Sequence, residues 1–460
     1  MTLIKSISGI RGTIGGEVGD NLTPIDITLF AAAYGTWLLK NNKGKVKVVV
    51  GRDARISGAM VQSLVVNTLI ALGIDVYDTG LSTTPTVEME VTRLKAKGGI
   101  ILTASHNPKQ WNALKLLNEK GEFISGKDGQ DILILAENRD FTFADVDELG
   151  TIVDETNSMD FHIQAVMDLP WVDAEAITKA DFKVVVDGVN STGGTFIPEL
   201  LKRLGVNQIE ELYCEPNGQF PHNPEPLPEN LTAISDKIKE SKADLGIVVD
   251  PDVDRLAMVC EDGSMFGEEY TLVAVADYVL GRNPGPVVSN LSSSRALRDV
   301  ADKYNSTYKA SAVGEVNVVD TMKEIGAVIG GEGNGGVIVP ALHYGRDALV
   351  GVALFLSHLA HSGLKTSELK ATYPFYHISK NKIQLTPEID VDNLLERFAV
   401  HFASEQVNTI DGVKVDFADK WVHLRKSNTE PIVRIYAEAE NKSEADALAQ
   451  TVITLIESWI

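Results

Sequence analysis

Cysteine is almost absent from this sequence, and basic residues are in deficit. The 460-residue chain contains two cysteines, Cys214 and Cys260, which excludes a disulfide scaffold and a zinc knuckle. Lysine and arginine total 42 against 64 aspartates and glutamates, so the formal net charge is −22. Such a charge disfavours general binding of nucleic acids or anionic membranes. A phosphorylated ligand would therefore need a locally basic pocket.

Long apolar runs are also missing. Residues 1–12 lack the apolar core of a secretory signal and carry Lys5 and Arg11. The uncharged run 56–74 is interrupted by polar side chains, and its apolar residues recur at helical spacing, which predicts a packed helix rather than a membrane span. We therefore expect a soluble, cytoplasmic protein. At about 150 residues per domain, the length indicates about three domains.

A recurring unit predicts an α/β fold. Runs of branched apolar residues end abruptly in loops of Gly, Asp or Asn, usually before a helical pattern. The runs are 47–50, 184–186, 246–249 and 327–329. Such runs are typical of strands buried on both faces of parallel sheets, whose carboxyl ends bind ligands.

The pattern changes near Tyr373. Segments 380–385 and 433–437 alternate in a way that predicts half-exposed strands, and 443–460 predicts a terminal helix. We therefore expect a smaller α+β domain at this end of the chain.

The first loop with candidate catalytic residues is Thr-Ala-Ser-His-Asn-Pro at 103–108, which directly follows the strand-like segment 99–102. A serine at the end of a buried strand is placed to act as a nucleophile, which makes Ser105 a candidate. The competing interpretation is a turn serine that caps a short helix. A serine hydrolase is disfavoured because no Gly-x-Ser-x-Gly elbow surrounds it.

The second loop is Asp-Pro-Asp-Val-Asp-Arg at 250–255. Carboxylates at alternate positions can converge on one hard cation, and all-oxygen ligation favours Mg²⁺. An EF-hand is excluded because Arg255 occupies the obligatory glycine position and a strand precedes the loop. A solvated acidic turn is the simpler alternative, but three crowded carboxylates at a buried strand end would be costly without a cation.

Two further loops point to a sugar phosphate. The glycine loop 330–336 offers Glu332 and Asn334 to a polyhydroxylated ligand. It is not a dinucleotide fingerprint, because a strand-like run follows instead of a helix. The segment 425–431, with Arg434 beyond it, combines cations, hydroxyls and turn amides that suit a phosphate.

Together these four loops, in this order and over essentially the whole chain, resemble the α-D-phosphohexomutase family, which contains phosphoglucomutases, phosphomannomutases and phosphoglucosamine mutases. The family's serine loop, Thr-Ala-Ser-His-Asn-Pro, is matched at 103–108, and its metal loop, Asp-x-Asp-x-Asp-Arg, at 250–255. Its sugar loop begins Gly-Glu, as at 331–332. Its phosphate loop, Arg-x-Ser-Gly-Thr-Glu-Pro, is similar to 425–431.

Two more segments fit the family, Gly-Ile-Arg-Gly at 9–12 and Gly-Arg-Asp-x-Arg at 51–55. The resemblance implies an α/β fold with three similar domains with mixed sheets, and a smaller α+β C-terminal domain, around a central cleft. That is one domain more than the length indicates. The expected bounds are 1–155 with the serine loop, 156–260 with the metal loop, 261–370 with the sugar loop and 371–460 with the phosphate loop.

The resemblance also implies a reaction, in which a phosphoryl group moves between O6 and O1 of a hexose phosphate. The phosphoryl group passes through phosphorylated Ser105 and a hexose bisphosphate, which is the activator and intermediate. Mg²⁺ is the implied cofactor. Its implied ligands are Ser105, through its phosphoryl group, Asp250, Asp252 and Asp254.

Residue roles follow from the same resemblance. Lys115 matches a family lysine assigned to proton transfer, and Arg11 a residue assigned to charge stabilisation, while His106 is counted with Ser105 as catalytic. The implied substrate-binding residues are Arg255, Glu332, Asn334, Arg425, Ser427, Asn428, Thr429 and Arg434.

The sugar loop departs from the family pattern. The usual Gly-Glu-Met-Ser-Gly-His or Gly-Glu-Gln-Ser-Gly-His is Gly-Glu-Gly-Asn-Gly-Gly here, so Asn334 replaces the serine and Gly336 the histidine. His343 is a candidate stand-in, although an ordinary loop histidine is the simpler interpretation. In the phosphate loop Asn428 replaces glycine, a mild change because Asn tolerates the left-handed region.

The sugar-loop variant resembles divergent phosphoglucosamine mutases, which predicts conversion of glucosamine 6-phosphate to glucosamine 1-phosphate. Phosphomannomutase/phosphoglucomutase activity is the main alternative. A metal-dependent sugar phosphatase and a non-catalytic sugar-phosphate-binding protein are further alternatives. The expected partner is a small sugar phosphate, with no nucleic acid and no membrane, and the expected assembly is a monomer or homodimer.

Overall fold

The computed structural model describes residues 2–6, 9–386, 389–426 and 432–459. They divide into two compact units. The first unit comprises Met1–Thr271 and Gly335–Ser367, and the second comprises Leu272–Asn334 and Glu368–Ile460. Strands alternate with helices, and both parallel and antiparallel pairs occur, as the α/β prediction requires. In the described ranges, no helix is both long and apolar enough to cross a membrane.

The first unit begins with a mixed sheet. Its strands are β1 Ile4–Ser6, β2 Gly9–Thr13, β3 Lys47–Arg52, β4 Asp75–Leu81, β5 Gly98–Leu102, β6 Trp111–Leu117 and β7 Ile152–Asp154. They lie in the order β1-β2-β6-β5-β3-β4-β7, with β3 parallel to β4 and β5. The accompanying helices are α1 Pro24–Asn41, α2 Gly58–Ala71, α3 Thr84–Arg93 and α4 Gly126–Asn138. A short 3₁₀ turn spans Val146–Glu148.

Sequence features account for these elements. The valines of β3 are buried because helices cover both faces of the sheet. Helix α1 begins after Thr23, whose hydroxyl caps the amide of Asp26 in a reciprocal capping box. Strand β5 is buried throughout, and its carboxyl end leads into the serine loop.

A second sheet follows in the same unit. Its strands are β8 Lys183–Asp187, β9 Gln208–Leu212, β10 Leu245–Val249 and β11 Leu256–Cys260, in the order β11-β10-β8-β9. The helices are α5 Ser158–Met167, α6 Ala174–Ala180, α7 Gly193–Arg203 and α8 Thr232–Ser241, with a 3₁₀ turn at Pro228–Asn230. Because β10 and β11 are antiparallel neighbours, the metal loop is the connection between them.

The chain then enters the second unit through α9 Glu268–Leu280. The elements that follow are β12 Val287–Asn290, α10 Ala296–Lys303, β13 Tyr308–Ser311, α11 Glu315–Ile325 and β14 Ile329–Glu332. Strand β12 pairs in parallel with both β13 and β14. Strand β15 Gly336–Ile338 and helix α12 Ala348–Ser362 belong again to the first unit, and α13 Thr366–Lys370 follows.

The last part of the second unit is α+β, as predicted. Its elements are β16 His377–Gln384, α14 Val391–His401, β17 Gln406–Asn408, β18 Val413–Asp416, β19 Trp421–Lys426, β20 Ile432–Ala439 and α15 Lys442–Glu457. The strands form an antiparallel sheet in the order β16-β20-β19-β18-β17. Strand β16 alternates as predicted, and so do residues 433–437 of β20, where buried and half-buried positions alternate. Strand β20 is mostly buried because it is central in the sheet and lies between β16 and β19.

Candidate active site

Ser105 lies in the turn between β5 and β6 and is itself almost buried. Its φ of 48° is in the left-handed region, which costs a non-glycine residue of order 1 kcal/mol or more. Its Oγ donates a hydrogen bond of 2.7 Å to Oδ2 of Asp250, and Nδ1 of His106 lies 3.3 Å away. No helix follows, so the alternative of a helix-capping serine was wrong.

The metal loop brings its carboxylates together, which confirms the convergence that their spacing predicts. Asp250, Asp252 and Asp254 are 0% exposed, and one oxygen from each lies within 4.8 Å of the others. Between them, Val253 has a φ of 63°, an uncommon conformation for a β-branched residue.

Two carboxylate oxygens in this group indicate whether a divalent cation fits between the three residues. Oδ1 of Asp252 and Oδ1 of Asp254 are buried and have no hydrogen-bond partner among the described residues. Buried carboxylate oxygens without partners are costly, and hard oxygen ligands in this number suit Mg²⁺. Asp250, Asp252 and Asp254 therefore fit a divalent cation. We call these three residues, with Ser105 and Lys115, the serine–metal cluster.

Cations surround the carboxylates. Lys115 Nζ, on β6, lies 2.7 Å from Oδ2 of Asp252 and 3.5 Å from Oδ2 of Asp254. Arg346 donates to Oδ2 of Asp254 at 2.6 Å. Arg255 Nε is 4.0 Å from Oδ1 of the same carboxylate. Three cations thus surround the three carboxylates and supply positive charge that can stabilise a phosphoryl group.

These contacts separate the pKa values of the cluster. Burial, with Asp254 and Asp252 nearby, raises the pKa of Asp250 well above its usual value. Burial alone would also raise the pKa of Asp254, but Arg346 and Lys115 lower it overall. Burial would lower the pKa of Lys115, yet Asp252 and Asp254 raise it. In this arrangement Lys115 is therefore a protonated amine paired with two carboxylates.

His106 and Arg11 also carry shifted pKa values. Burial, and next the positive charge of Arg255, lowers the pKa of His106 well below its usual value. The same two causes lower the pKa of Arg11, which lies on β2 beside β6. His106 is therefore a neutral imidazole near neutral pH.

The sugar-loop residues lie in the second unit. Glu332 ends β14 and is buried, and its Oε1 accepts hydrogen bonds from Nδ2 of Asn290 at 2.8 Å and from the amide of Gly314 at 3.0 Å. Asn334 is half-buried two residues later. The carboxylate of Glu332 is thus held by backbone and side-chain donors at the carboxyl end of a parallel strand, where α/β sheets bind ligands.

The glycine-rich sequence after Glu332 has a steric reason. Gly335, which lies in the first unit, has a φ of 86°, and a Cβ there would approach the carbonyl oxygen of Leu256 to 2.3 Å. Gly336 begins β15. The candidate stand-in His343 faces Oε2 of Glu88 at 3.4 Å and Oδ2 of Asp347 at 3.3 Å. His343 is therefore engaged by two buried carboxylates.

The phosphate loop connects β19 and β20. Arg425 and Arg434 lie directly opposite one another in this antiparallel pair. Nε of Arg425 lies 2.8 Å from Oδ2 of Asp411, and both side chains are about one-fifth exposed. The predicted residues Ser427, Asn428 and Thr429 lie outside the described residues.

Of the eight predicted site residues in the first unit, the structure brings seven together. These are Ser105, His106, Lys115, Asp250, Asp252, Asp254 and Arg255. Glu332, Asn334, Arg425 and Arg434 lie in the second unit.

Sequence reasoning did not single out Arg346, which contacts Asp254, or Thr84, whose hydroxyl donates to Oδ2 of Asp252 at 2.5 Å. Partners 92 and 168 residues apart leave no local signal in a single sequence.

Models of known families match the chain in order. The Phosphoglucomutase/phosphomannomutase models match as alpha/beta/alpha domain I at 3–143, domain II at 160–263, domain III at 267–376 and the C-terminal domain at 382–455. The chain therefore belongs to the phosphoglucomutase/phosphomannomutase family, an enzyme family of phosphohexomutases. The predicted resemblance and the predicted fold class are both confirmed.

Relatives match over almost their full length. The chain is 34% identical to the phosphoglucomutase/phosphomannomutase of Thermococcus kodakarensis, over 97% of this chain and 98% of that protein. It is 31% identical to the phosphoglucosamine/phosphogalactosamine mutase of Sulfurisphaera tokodaii, over 98% of each. The crystal structure of a phosphoglucomutase/phosphomannomutase family protein from Burkholderia thailandensis is similar with a TM-score of 0.84 and 27% identity, covering 98% of this chain and 96% of that one.

Proposed function

We propose that this phosphohexomutase moves a phosphoryl group between O6 and O1 of a hexose phosphate through phosphorylated Ser105 and a hexose bisphosphate. The observation that carries the proposal is the 2.7 Å contact between Ser105 Oγ and Asp250 inside the serine–metal cluster. Ser105 thus contacts Asp250, and its neighbours Asp252 and Asp254 each have a buried oxygen without a hydrogen-bond partner among the described residues, an arrangement that suits a phosphoryl group bound together with a divalent cation.

Different residues of the chain have different roles in the proposed phosphoryl transfer. In the transfer step, the bond from Ser105 Oγ to phosphorus breaks as a sugar hydroxyl forms its bond to phosphorus. Lys115 donates a proton to the departing Oγ and recovers one from the attacking hydroxyl. Arg11 and Arg255 stabilise the negative charge of the transferring group. His106 is a neutral hydrogen-bonding group beside Ser105.

Asp250, Asp252 and Asp254, with the phosphoryl group on Ser105, would hold Mg²⁺. When bound, the ion supplies positive charge that offsets the charge of the phosphoryl oxygens. The proposed cofactors are therefore Mg²⁺, phosphorylated Ser105 and a hexose bisphosphate activator.

We propose that residues of the sugar and phosphate loops bind the substrate. Glu332 and Asn334 bind sugar hydroxyls. The groups that bind the non-reacting phosphate are Arg425, Ser427, Asn428, Thr429 and Arg434. After the first transfer the bisphosphate turns over, so that its other phosphate is the one returned to Ser105.

Glucosamine 6-phosphate is the proposed preferred substrate, with glucose and mannose phosphates as the alternative. The relatives support both, since one is named for glucosamine and galactosamine phosphates and the other for glucose and mannose phosphates. Relative kcat/KM on the three 6-phosphates tests the preference. A ratio that favours mannose or glucose 6-phosphate would make the alternative correct.

Replacement of Ser105 by Ala tests the reaction itself. We expect the variant to lose interconversion of the 6- and 1-phosphates, measured by phosphorus NMR. Steady release of inorganic phosphate by the wild type without isomer formation would instead identify a sugar phosphatase. The low exposure of Ser105 disfavours that outcome because water has little access to it.

The proposal also covers the domain bounds, the location, the assembly and the binding partners of the protein. We propose domains at 1–155, 156–260, 261–370 and 371–460, a cytoplasmic location, and a monomer or homodimer that binds neither nucleic acid nor membranes. The support is the arrangement of loops along the chain and the net charge of −22.

A further inference from the structure

A buried arginine that the reaction does not use lies beneath the serine loop. Arg55 follows β3, and its side chain is 0% exposed. A buried guanidinium is costly unless each of its five N–H groups finds an acceptor. The hydrogen-bond acceptors of Arg55 therefore indicate which part of the structure this buried side chain holds in place.

One acceptor is a carboxylate and the others are backbone carbonyls. Nε donates to Oδ2 of Asp53 at 2.9 Å. The remaining N–H groups donate to the carbonyl of Ser105 and to those of Asn107, Pro108 and Trp111, the last three at 2.7, 2.8 and 2.9 Å respectively. One side chain therefore bonds three of the six backbone carbonyls of the serine loop 103–108, and that of Trp111 just beyond it.

The same segment also contacts the metal loop. The amide of Ala54 donates to Oγ of Ser191 at 3.2 Å, and that hydroxyl donates to the carbonyl of Pro251 at 2.7 Å. Ser191 is fully buried. Residues 54 and 55 thus connect the backbone of the serine loop to the backbone of the metal loop.

We propose that Arg55 is a positioning residue that holds Ser105 in its left-handed conformation, with Oγ aimed at Asp250. The inference rests on the proposed function, because it assigns Arg55 to the transfer step at Ser105. A loop without regular hydrogen bonding would relax from the strained φ of 48° if its carbonyls lost these donors. A displacement of about 1 Å at a reacting atom can cost about 100-fold in rate.

The test is Arg55→Lys, which keeps the charge but cannot reach all these acceptors. We expect kcat for interconversion to fall about 100-fold while KM stays within about twofold, because the binding groups are elsewhere. The matched control is Arg52→Lys, on the same segment, where Arg52 donates to Gln62 and to the carbonyl of Asp53. The control should keep both constants. A kcat within about twofold of wild type in Arg55→Lys would overturn the inference.

A second measurement separates this inference from the proposed function. Hydrogen exchange of the amides in 103–111 should accelerate in Arg55→Lys and not in Arg52→Lys. Unchanged exchange in that segment would overturn the positioning role even if activity fell. A different result is a wild-type protein that shows the expected hydrogen exchange in this segment and yet interconverts no sugar phosphates. That result would overturn the proposed function, but the role of Arg55 in holding the loop would stand.

A pair of variants covers the case in which Arg55→Lys does not fold. Thr103 donates to Oδ2 of Asp53 at 2.7 Å and accepts from the amide of Ser105 at 2.9 Å. Thr103→Val removes both bonds and should lower kcat at constant KM, whereas Thr103→Ser keeps the hydroxyl and should restore it. Equal kcat in the two variants would overturn the inference.

Discussion

The serine–metal cluster of the first unit and Arg425 in the second unit handle charge in opposite ways. The carboxylates of the cluster are fully buried, and two of them are bonded directly to cations, Asp252 to Lys115 and Asp254 to Arg346. Arg425 and its partner Asp411 are both partly exposed. Buried charge pairs fix geometry but are costly to break, whereas a partly exposed pair can exchange a partner cheaply. We therefore expect the cluster to bind the reacting phosphate and Arg425 to bind the non-reacting one.

The largest effect should follow a change inside the cluster. Asp252→Asn removes a charge from the proposed cation site and the partner of Lys115 Nζ. We expect kcat to fall by about 100- to 1,000-fold, because charge stabilisation of the transition state is lost. Mg²⁺ should also raise Tm of the wild type by binding the native state, and this rise should disappear in the variant.

Asp236→Asn, at an exposed position on α8, is the matched control and should behave as wild type. Calorimetry with and without Mg²⁺ provides the readout. An Asp252→Asn variant that keeps both its activity and its response to Mg²⁺ would show that the carboxylates are not the cation site.

A change at Arg425 should act on binding. Arg425→Gln removes a charged donor, and hydrogen bonds to charged groups contribute about 1.5–3 kcal/mol, so KM should rise about 10- to 100-fold with a smaller change in kcat. Steady-state kinetics measure both constants. Lys442→Gln, at the exposed start of α15, is the control. A fall in kcat without a change in KM would contradict the proposed difference between the serine–metal cluster and Arg425.

A smaller effect is expected at Asn290, which holds Oε1 of Glu332 together with the amide of Gly314. Asn290→Ala should let Glu332 turn and change the ratio of kcat/KM between glucosamine and mannose 6-phosphates by about tenfold. Asn393→Ala, exposed on α14, is the control. An unaltered ratio of kcat/KM would mean that Glu332 does not discriminate between the two sugar phosphates.

The smallest effect concerns stability in the second unit. Burial lowers the pKa of His423 to about 4, and the ring bonds Ser292 Oγ and the carbonyl of Asp411. Because the unfolded state binds the proton more readily, stability is full above about pH 6.5 and is lost as the pH falls towards 4. Between pH 7 and pH 5 the loss should be about 2 kcal/mol.

Urea unfolding at the two pH values measures this loss. His423→Gln should lose less stability on acidification than the wild type, while His401→Gln, at an exposed position, should lose as much as the wild type. Identical pH dependence in wild type and His423→Gln would show that His423 is not the titrating group.

Much of the fold follows from local pattern. The buried runs at β3, β8, β10 and β14 and the loops at their carboxyl ends were predictable, because burial on both faces selects uninterrupted branched residues. Strand β7 was not predicted. It is three residues long and lies on the surface beside β4, and its two apolar residues, Ile152 and Val153, are too few to mark a strand.

The site was predictable where one loop carries several of its groups. The convergence of Asp250, Asp252 and Asp254 follows from alternate positions in one loop. The contacts of Arg346 with Asp254 and of Arg55 with the serine loop join distant segments. Such pairs depend on how the sheets pack, and a single sequence does not record them.

Transfer of a labelled phosphoryl group from the protein to sugar tests the central claim most directly. The protein would be loaded with labelled glucose 1,6-bisphosphate, mixed with unlabelled glucosamine 6-phosphate and quenched within one turnover. The account predicts that label leaves Ser105 and appears in hexose bisphosphate and then in hexose monophosphate, and that Ser105→Ala never acquires it. Label released as inorganic phosphate, or interconversion by the Ser105→Ala variant at the wild-type rate, would contradict it.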